Sequence, residues 1–441
     1  MLQSEKIIKK YAKALEDLSP IVKSGSVSRV VGVSIESIGP KAPVGEICLL
    51  RNRKGEVVNR AEVIGFKENR IVSMGLGEMN AITPGMEIIA SGEALSINLG
   101  DQLLGRVVNG LGEPIDGKPP VRSLERRPVY AVPPTPLERK RIKDPIFTGV
   151  RAIDGMLTFG KGQRVGIFAG SGVGKSTLLS MIARNTSADI NVIALIGERG
   201  REVKEFIEKD LGPEGLARSI VVAATSDVPA LVRIKAALTA TTIAEYFRDR
   251  GMDVMLMMDS VTRLAMAQRE VGLTVGEPPT TKGYTPSVFS IMQKTMERAG
   301  TSADGSITAL YTVLVEGDDF NEPISDTARG ILDGHIILSR RVATTGHYPA
   351  IDVLESISRL RKEVTTAEHN NAAYEIQSIM AEYRGAEDLI SVGAYQKGAN
   401  PKIDRAIRLI DPINKFLRQK TDEKITFDET VHDLIAISKS Q

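Results

Sequence analysis

The sequence is short of several things, and each shortage excludes a class of protein. One cysteine, Cys48, stands in 441 residues, so no internal disulfide and no cysteine-rich zinc site can form. Cys48 lies in the apolar run Ile47–Leu50 and reads as a buried structural thiol. Tryptophan is absent and aromatics make up 4%, which argues against a surface built for base stacking. No apolar run approaches the ~18 residues of a membrane span. The start, Met1–Lys6, lacks the apolar core of a signal peptide, so the expected address is the cytoplasm. Neither charge sign dominates. With 57 Lys+Arg against 55 Asp+Glu, the net charge of +2 excludes the strongly basic profile of a dedicated nucleic-acid binder. The four histidines, His335, His347, His369 and His432, lack metal-ligand spacing and read as structural.

What remains is an ordinary globular composition, 42% hydrophobic and 25% charged. At about 150 residues per domain, the length fits about two to four domains. In residues 1–19, Ile7, Ile8, Tyr11, Leu15 and Leu18 share a helical face that Pro20 closes, giving a short amphipathic segment over 1–22. Such a helix is marginal alone, so it packs on its own protein or docks on a partner. Residues 23–93 alternate Val and Ile with glycine-rich turns, a pattern that predicts a small β-barrel. Phe66 is the one aromatic between residues 25 and 92, so the barrel reads as a packing module.

Residues 94–363 read as one nucleotide-binding domain, entered through a Gly- and Pro-rich stretch up to about 145. Strand-like runs at Arg164–Phe168, Val192–Ile196, Ser219–Ala223, Val254–Met258, Ile307–Val313 and His335–Leu338 follow. Amphipathic segments such as Thr177–Ala183 and Leu231–Arg248 lie between some of them. This predicts an α/β fold, a mostly parallel P-loop sheet flanked by helices. Residues 364–441 turn helical, and Thr426 with Glu429 predicts a capping box at the last helix.

The chemistry centres on Ala169-Gly170-Ser171-Gly172-Val173-Gly174-Lys175-Ser176-Thr177. The stretch follows a strand and opens a helix, as a P-loop must. Its glycines let backbone N–H groups turn toward phosphate oxygens, and the helix N-terminus adds its positive end. Lys175 would reach the β- and γ-phosphates, and the Ser176 hydroxyl would ligate Mg²⁺. Asp259 ends the apolar run Val254–Met258, the position of a carboxylate that holds Mg²⁺ through water. Hydrolysis also needs a base for the attacking water. Glu198, in a glycine-flanked loop after Val192–Ile196, is a candidate. From spacing alone, a salt-bridged surface glutamate fits as well.

Gly197–Glu202 resembles the GERxRE segment of the rotary-ATPase catalytic subunits, and Pro349–Arg359 resembles a signature shared by their α and β subunits. The similarity runs over nearly the whole chain. Gly149–Gly155, Gly276–Val288 and Tyr395–Asp404 resemble the flagellar and type III secretion export ATPases more than synthase subunits, with the flagellar member favoured. The resemblance implies that Glu198 polarises the water. It also implies that Arg199 adjoins the phosphates, Arg263 lies near the γ-phosphate, and Arg359 is an arginine finger reaching a neighbouring subunit's site. A guanidinium there would stabilise the spread charge of the transferring phosphoryl group. Without the resemblance, Arg359 would read as part of a solvated basic run. Tyr348 matches a residue that stacks on adenine, and Phe427 aligns, by counting, with a second adenine-pocket aromatic.

The implied activity is ATP hydrolysis that energises protein export. One chain carries both Glu198 and Arg359, so identical copies can build complete sites, and a homohexamer is expected. The implied partners are a stator-like regulator on the N-terminal helix, a stalk-like coiled coil and chaperone–substrate complexes at the C-terminal face, and an export gate at the membrane. Nucleic acid is not among them. A rotary synthase subunit is the alternative. Against it, Lys397–Lys402 stands where synthase β subunits carry an acidic loop. A hexameric nucleic-acid translocase is the third reading, against which the aromatic-poor barrel and the +2 charge count.

Overall fold

The computed structural model describes residues 23–121, 125–315, 317 and 319–440. The amphipathic segment expected over 1–22 lies outside them. The chain divides into two compact units between Leu95 and Ser96.

The first unit is a closed barrel. Its strands run in the order Ser24–Val31, Ser34–Ile38, Arg70–Gly75, Val57–Lys67, Glu46–Arg51 and Glu87–Ala94, the last pairing with the first. The alternation read in the sequence turns Val27, Ile35, Leu50, Val63 and Ile88 inward onto one core. Cys48 is fully buried there, and burial, with the Glu46 charge second, pushes its thiol up to about 12. A thiol held that high is protonated and inert.

The second unit is built on a nine-stranded, mostly parallel sheet. Its path is Ile357–Ser358, Gly334–Leu338, Arg164–Ala169, Ser306–Leu314, Asp253–Asp259, Ile190–Ile196, Ser219–Ala224 and Val107–Asn109, with Gly300–Thr301 pairing beside Ser306–Leu314. The six strand-like runs of the sequence are its central strands. They read as continuous apolar runs because both faces are covered. Val107–Asn109 joins as an edge strand from a stretch that the sequence marks only as a connection. The helix Ala230–Arg248, which the sequence suggests is amphipathic, is buried at all but one of its positions. Its small residues Ala236, Ala237, Ala240 and Ala244 are fully buried, and it has no solvent face of any width.

Helices Ala367–Ser391, Pro401–Leu417 and Phe427–Lys439 close the chain. Each begins where a side chain takes an orphan N–H. Thr366 accepts from His369, Asn400 from Lys402, and Thr426 from Glu429 in a full capping box. Ile376, Ile413, Phe416 and Leu434 share one apolar cluster with Ile153, Met156 and Phe159 below the sheet. The helical end is thereby fastened to the layer that carries the P-loop.

One buried ion pair holds the far side. The Arg298 guanidinium donates to both Glu245 carboxylate oxygens, at 2.8 and 2.6 Å, and to Val129 O and Thr242 Oγ1. The side chains are 2% and 8% exposed. Removing one partner of such a pair strands the other charge, so Glu245→Ala should lower unfolding stability by about 3–5 kcal/mol. Denaturant unfolding of the two proteins measures the difference.

Candidate functional site

The parallel strands all point their C-terminal ends one way, and three loops converge there. The strand Arg164–Ala169 runs into the loop Gly170–Gly174, and helix Lys175–Asn185 follows. Gly174 caps this helix with φ 93° and no side-chain hydrogen bond, so the first N–H groups stay open. Together with the helix dipole they form an anion cradle. An added Cβ at Gly174 would sit 3.7 Å from the Tyr348 ring, so this ring lies against the loop.

Lys175 stands between two carboxylates. Its ammonium donates to Asp259 Oδ1 and lies 3.7 Å from Glu198 Oε1. Asp259 ends its strand, is 3% exposed, and also accepts from Thr312 Oγ1 at 2.8 Å. Its Oδ2 accepts no hydrogen bond among the described residues. The Asp259–Ser260 peptide is cis. Glu198 follows the strand Ile190–Ile196 through Gly197. Burial pushes its carboxyl above the usual range. Lys175 opposes the rise, and the Asp259 charge adds to it.

Arg263 packs its aliphatic stem on Gly197. A Cβ there, at φ 69°, would meet Arg263 Cβ at 3.0 Å. The Arg263 Nε is buried without a hydrogen-bond partner, and Nη1 reaches only the Met266 sulfur at 3.9 Å. The Arg263 side chain thus lies against the residue that precedes Glu198, and among the described residues it pairs with no carboxylate. Arg199 behaves differently. Its side chain is 83% exposed and pairs loosely with Glu202, outside the Lys175 cluster. Ser176 and Thr177 are exposed on the first turn of the helix.

Arg359 is not brought to this cluster. Its N–H donates to Asp333 O, and the Asp333 N–H donates to Arg164 O. Arg359 therefore stands level with the first residue of the P-loop strand, at the opposite end of the sheet. The strand from Arg164 to Ala169, at about 3.3 Å per residue, puts about 16 Å between that level and the loop.

A cavity of about 1200 Å³ opens beside the loop. Gly174, Thr177 and Tyr348 line one side, and Phe416, Gln419 and Glu423 another. Phe427 does not line it. Its ring packs edge-on against Phe147 at 6.2 Å and against His369 at 6.0 Å. Phe427, expected at the adenine pocket, is half-buried on the first turn of the last helix and stands away from this cavity. The second aromatic at the cavity, beside Tyr348, is Phe416, which sequence reasoning missed. Its only signal was its place in the apolar stripe of Pro401–Leu417.

Among the described residues no group of three or more His, Cys, Asp or Glu could hold a metal ion by itself. A metal here would take most ligands from nucleotide and water. No helix of the described residues is long and apolar enough to cross a membrane.

A phosphate-cradling loop with a carboxylate two strands away defines a P-loop nucleoside triphosphatase. The comparisons narrow this. The nucleotide-binding domain of the ATP synthase alpha/beta family matches residues 149–358, its beta-barrel domain matches 27–92, and the T3SS EscN ATPase C-terminal domain matches 365–436. A "Flagellum-specific ATP synthase" of Bacillus subtilis (strain 168) is 54% identical, over 95% of each chain. A "Type 3 secretion system ATPase" of Xanthomonas euvesicatoria is 49% identical, over 94% of each. The assembled ATPase EscN of the enteropathogenic E. coli type III secretion system superposes with a TM-score of 0.89 at 46% identity, over 94% of this chain and all of that one. The chain belongs to the family of flagellar and type III secretion ATPases, and it is an ATP-hydrolysing enzyme.

Gly174→Ala tests the loop geometry. A left-handed backbone costs an L-residue roughly 1–2 kcal/mol, so the loop should weaken its cradle. ATP affinity by calorimetric titration should fall by up to about tenfold.

Proposed function

We propose that the chain is a cytoplasmic ATPase, peripheral at the inner face of the plasma membrane, that energises flagellar protein export as a homohexamer. The observation that carries the ring is the position of Arg359. One end of each sheet holds Lys175, Asp259 and Glu198, and the other holds Arg359. A head-to-tail contact between copies brings the two ends together, and a closed ring repeats it without a free edge.

In each composite site, Lys175 binds the β- and γ-phosphates and the open N–H groups of the loop hold the remaining oxygens. Glu198 takes the proton of the attacking water. Its carboxyl, raised by burial, is the stronger base for it. Arg359 of the partner subunit and the chain's own Arg263 meet the charge that spreads over the γ-phosphoryl oxygens. Arg199, exposed and loosely paired with Glu202, adjoins the phosphates when nucleotide is bound. Tyr348 stacks on adenine.

The Ser176 hydroxyl and the open Asp259 Oδ2 are hard oxygen donors that fit Mg²⁺, which keeps several waters and few protein ligands. When bound with ATP, Mg²⁺ neutralises charge on the β- and γ-phosphates.

EscN has also been solved "in complex with its central stalk EscO", at a TM-score of 0.87 to this chain. By analogy, the loop over residues 393–402 would meet a stalk-like coiled coil and chaperone–substrate complexes. The segment 1–22 would meet a stator-like regulator, and the ring would dock at an export gate. The flagellar assignment is supported by the 54% identity to the Bacillus subtilis relative against 49% to the Xanthomonas one.

Glu198→Gln keeps the shape and removes the base, so ATP should bind while turnover falls by about 10²–10⁴-fold. In the unmodified enzyme, turnover needs the ionised carboxyl. The acid limb of its kcat/KM profile should therefore fall at a pH above the ordinary glutamate value of 4.5.

The finger is tested by mixing two inactive variants, Lys175→Ala and Arg359→Ala. An Arg359→Ala subunit keeps its own loop, and a Lys175→Ala neighbour supplies an intact Arg359. Mixed rings should regain hydrolysis, read by phosphate release in single-turnover assays. Mixed rings demonstrated by mass spectrometry that release no phosphate would refute action in trans.

A further inference from the structure

The cavity has two walls that belong to distant parts of the chain, and one residue, through its main chain and its side chain, ties them together. Tyr348 is 48% exposed, so packing alone does not fix its ring. Its carbonyl, however, accepts the main-chain N–H of Gln419 at 3.0 Å. Gln419 is 5% exposed and uses its whole carboxamide. Nε2 donates to Gly149 O at 2.8 Å and to Glu423 O at 3.2 Å, and Oε1 accepts from the Arg151 N–H at 2.9 Å. Three segments therefore meet at one residue. These are the turn at 149–151, the bend at Tyr348 after the helix Arg340–Thr344, and the strap 416–423 that forms the opposite wall.

The turn is itself rigid. Asp154, fully buried, accepts from Thr148 N and Oγ1, Gly149 N and Val150 N. The Arg151 guanidinium returns to the strap, donating to Phe416 O at 3.3 Å and Arg418 O at 3.0 Å and pairing with Glu423. The strap is thus hung on the turn, and Tyr348 is hung on the strap, with Gln419 in both connections.

We propose that Gln419 is a positioning residue for the nucleotide base. It holds Tyr348 and the strap at the separation that admits a flat purine. The inference rests on the reading of Tyr348 as the base-stacking residue. A carboxamide is needed because it offers two donors and an acceptor at once. A carboxylate keeps only the acceptor, and an alanine keeps none while leaving Gly149 O and the Arg151 N–H buried and unpaired.

The test separates base from phosphate. ADP uses both the cavity and the loop, whereas pyrophosphate uses the loop alone. In Gln419→Ala, the Kd of ADP by calorimetry should rise about tenfold and that of pyrophosphate should stay within about twofold. The KM for ATP should rise with ADP while kcat changes little, because the reacting groups are untouched. Gln419→Glu, the same size without the donors, should shift ADP in the same direction, and it serves where the alanine variant does not fold. An unchanged ADP affinity in a folded Gln419→Glu protein overturns the proposal. Equal weakening of ADP and pyrophosphate also overturns it, since that marks general damage to the site. Tyr348→Ala distinguishes the underlying reading. If that variant leaves the preference for ADP over pyrophosphate intact, the base-stacking reading itself fails. If it abolishes the preference and Gln419→Glu does not touch it, only the role of Gln419 is wrong.

Discussion

An ammonium held between two carboxylates is what the rest of this structure serves. Lys175 carries one positive charge against the two of opposite sign on Asp259 and Glu198. Three consecutive features of the fold are needed to bring them together. The strand Arg164–Ala169 delivers the loop, Asp253–Asp259 delivers the acid from two strands away, and Ile190–Ile196 delivers the glutamate. Only a parallel sheet ends all three on the same edge. The cluster is short of positive charge before any phosphate arrives, so hydrolysis of a triphosphate calls for further cations. Arg263, whose Nε is buried without a partner and whose stem lies on Gly197, is the candidate within the chain.

The same sheet direction that gathers these groups sends Arg359 away. Hydrogen bonds through Asp333 fix it level with Arg164, at the end of the strands that the loop does not occupy. A parallel sheet thus gives the chain two different ends. Those ends differ in chemistry, one carrying two carboxylates and hydrogen-bond donors for phosphate and the other a guanidinium, and the proposed head-to-tail contact would join them. The cavity beside the loop follows a comparable logic on a smaller scale. Its walls come from segments separated by many residues, and polar side chains with complementary donors and acceptors tie them where apolar packing would leave the gap undefined.

The sequence determined a good deal of this by local rules. Apolar runs bounded by turns gave the central strands nearly to the residue. Thr426 and Glu429 announced the last helix, because a capping box is a four-residue signal. The P-loop was legible because its strand, glycines and lysine are contiguous. Asp259 was legible because a carboxylate that ends a buried run is unusual. Elements without a local period were not. Val107–Asn109 is a strand only because Ser219–Ala224 lies beside it. Ala230–Arg248 looked two-faced until the sheet on one side and neighbouring segments, the helix Val261–Thr274 among them, covered it almost entirely.

At the site, the division falls between chemistry and distance. Residue types and spacing named Lys175, Ser176 and Asp259, since each belongs to a short segment whose chemistry is written in its neighbours, whereas they left Glu198 open and the family resemblance singled it out. Whether Glu198 was a solvated glutamate or one drawn in beside Lys175 depended on where two loops from separate strands end, and only the assembled sheet decided that. Phe427 and Phe416 are eleven residues apart and both aromatic. Counting along the chain favoured the first, and the packing of helices around the strap gave the cavity to the second. Gln419 carries no motif at all, because its importance lies in three partners far away in sequence, which only folding brings within hydrogen-bond reach.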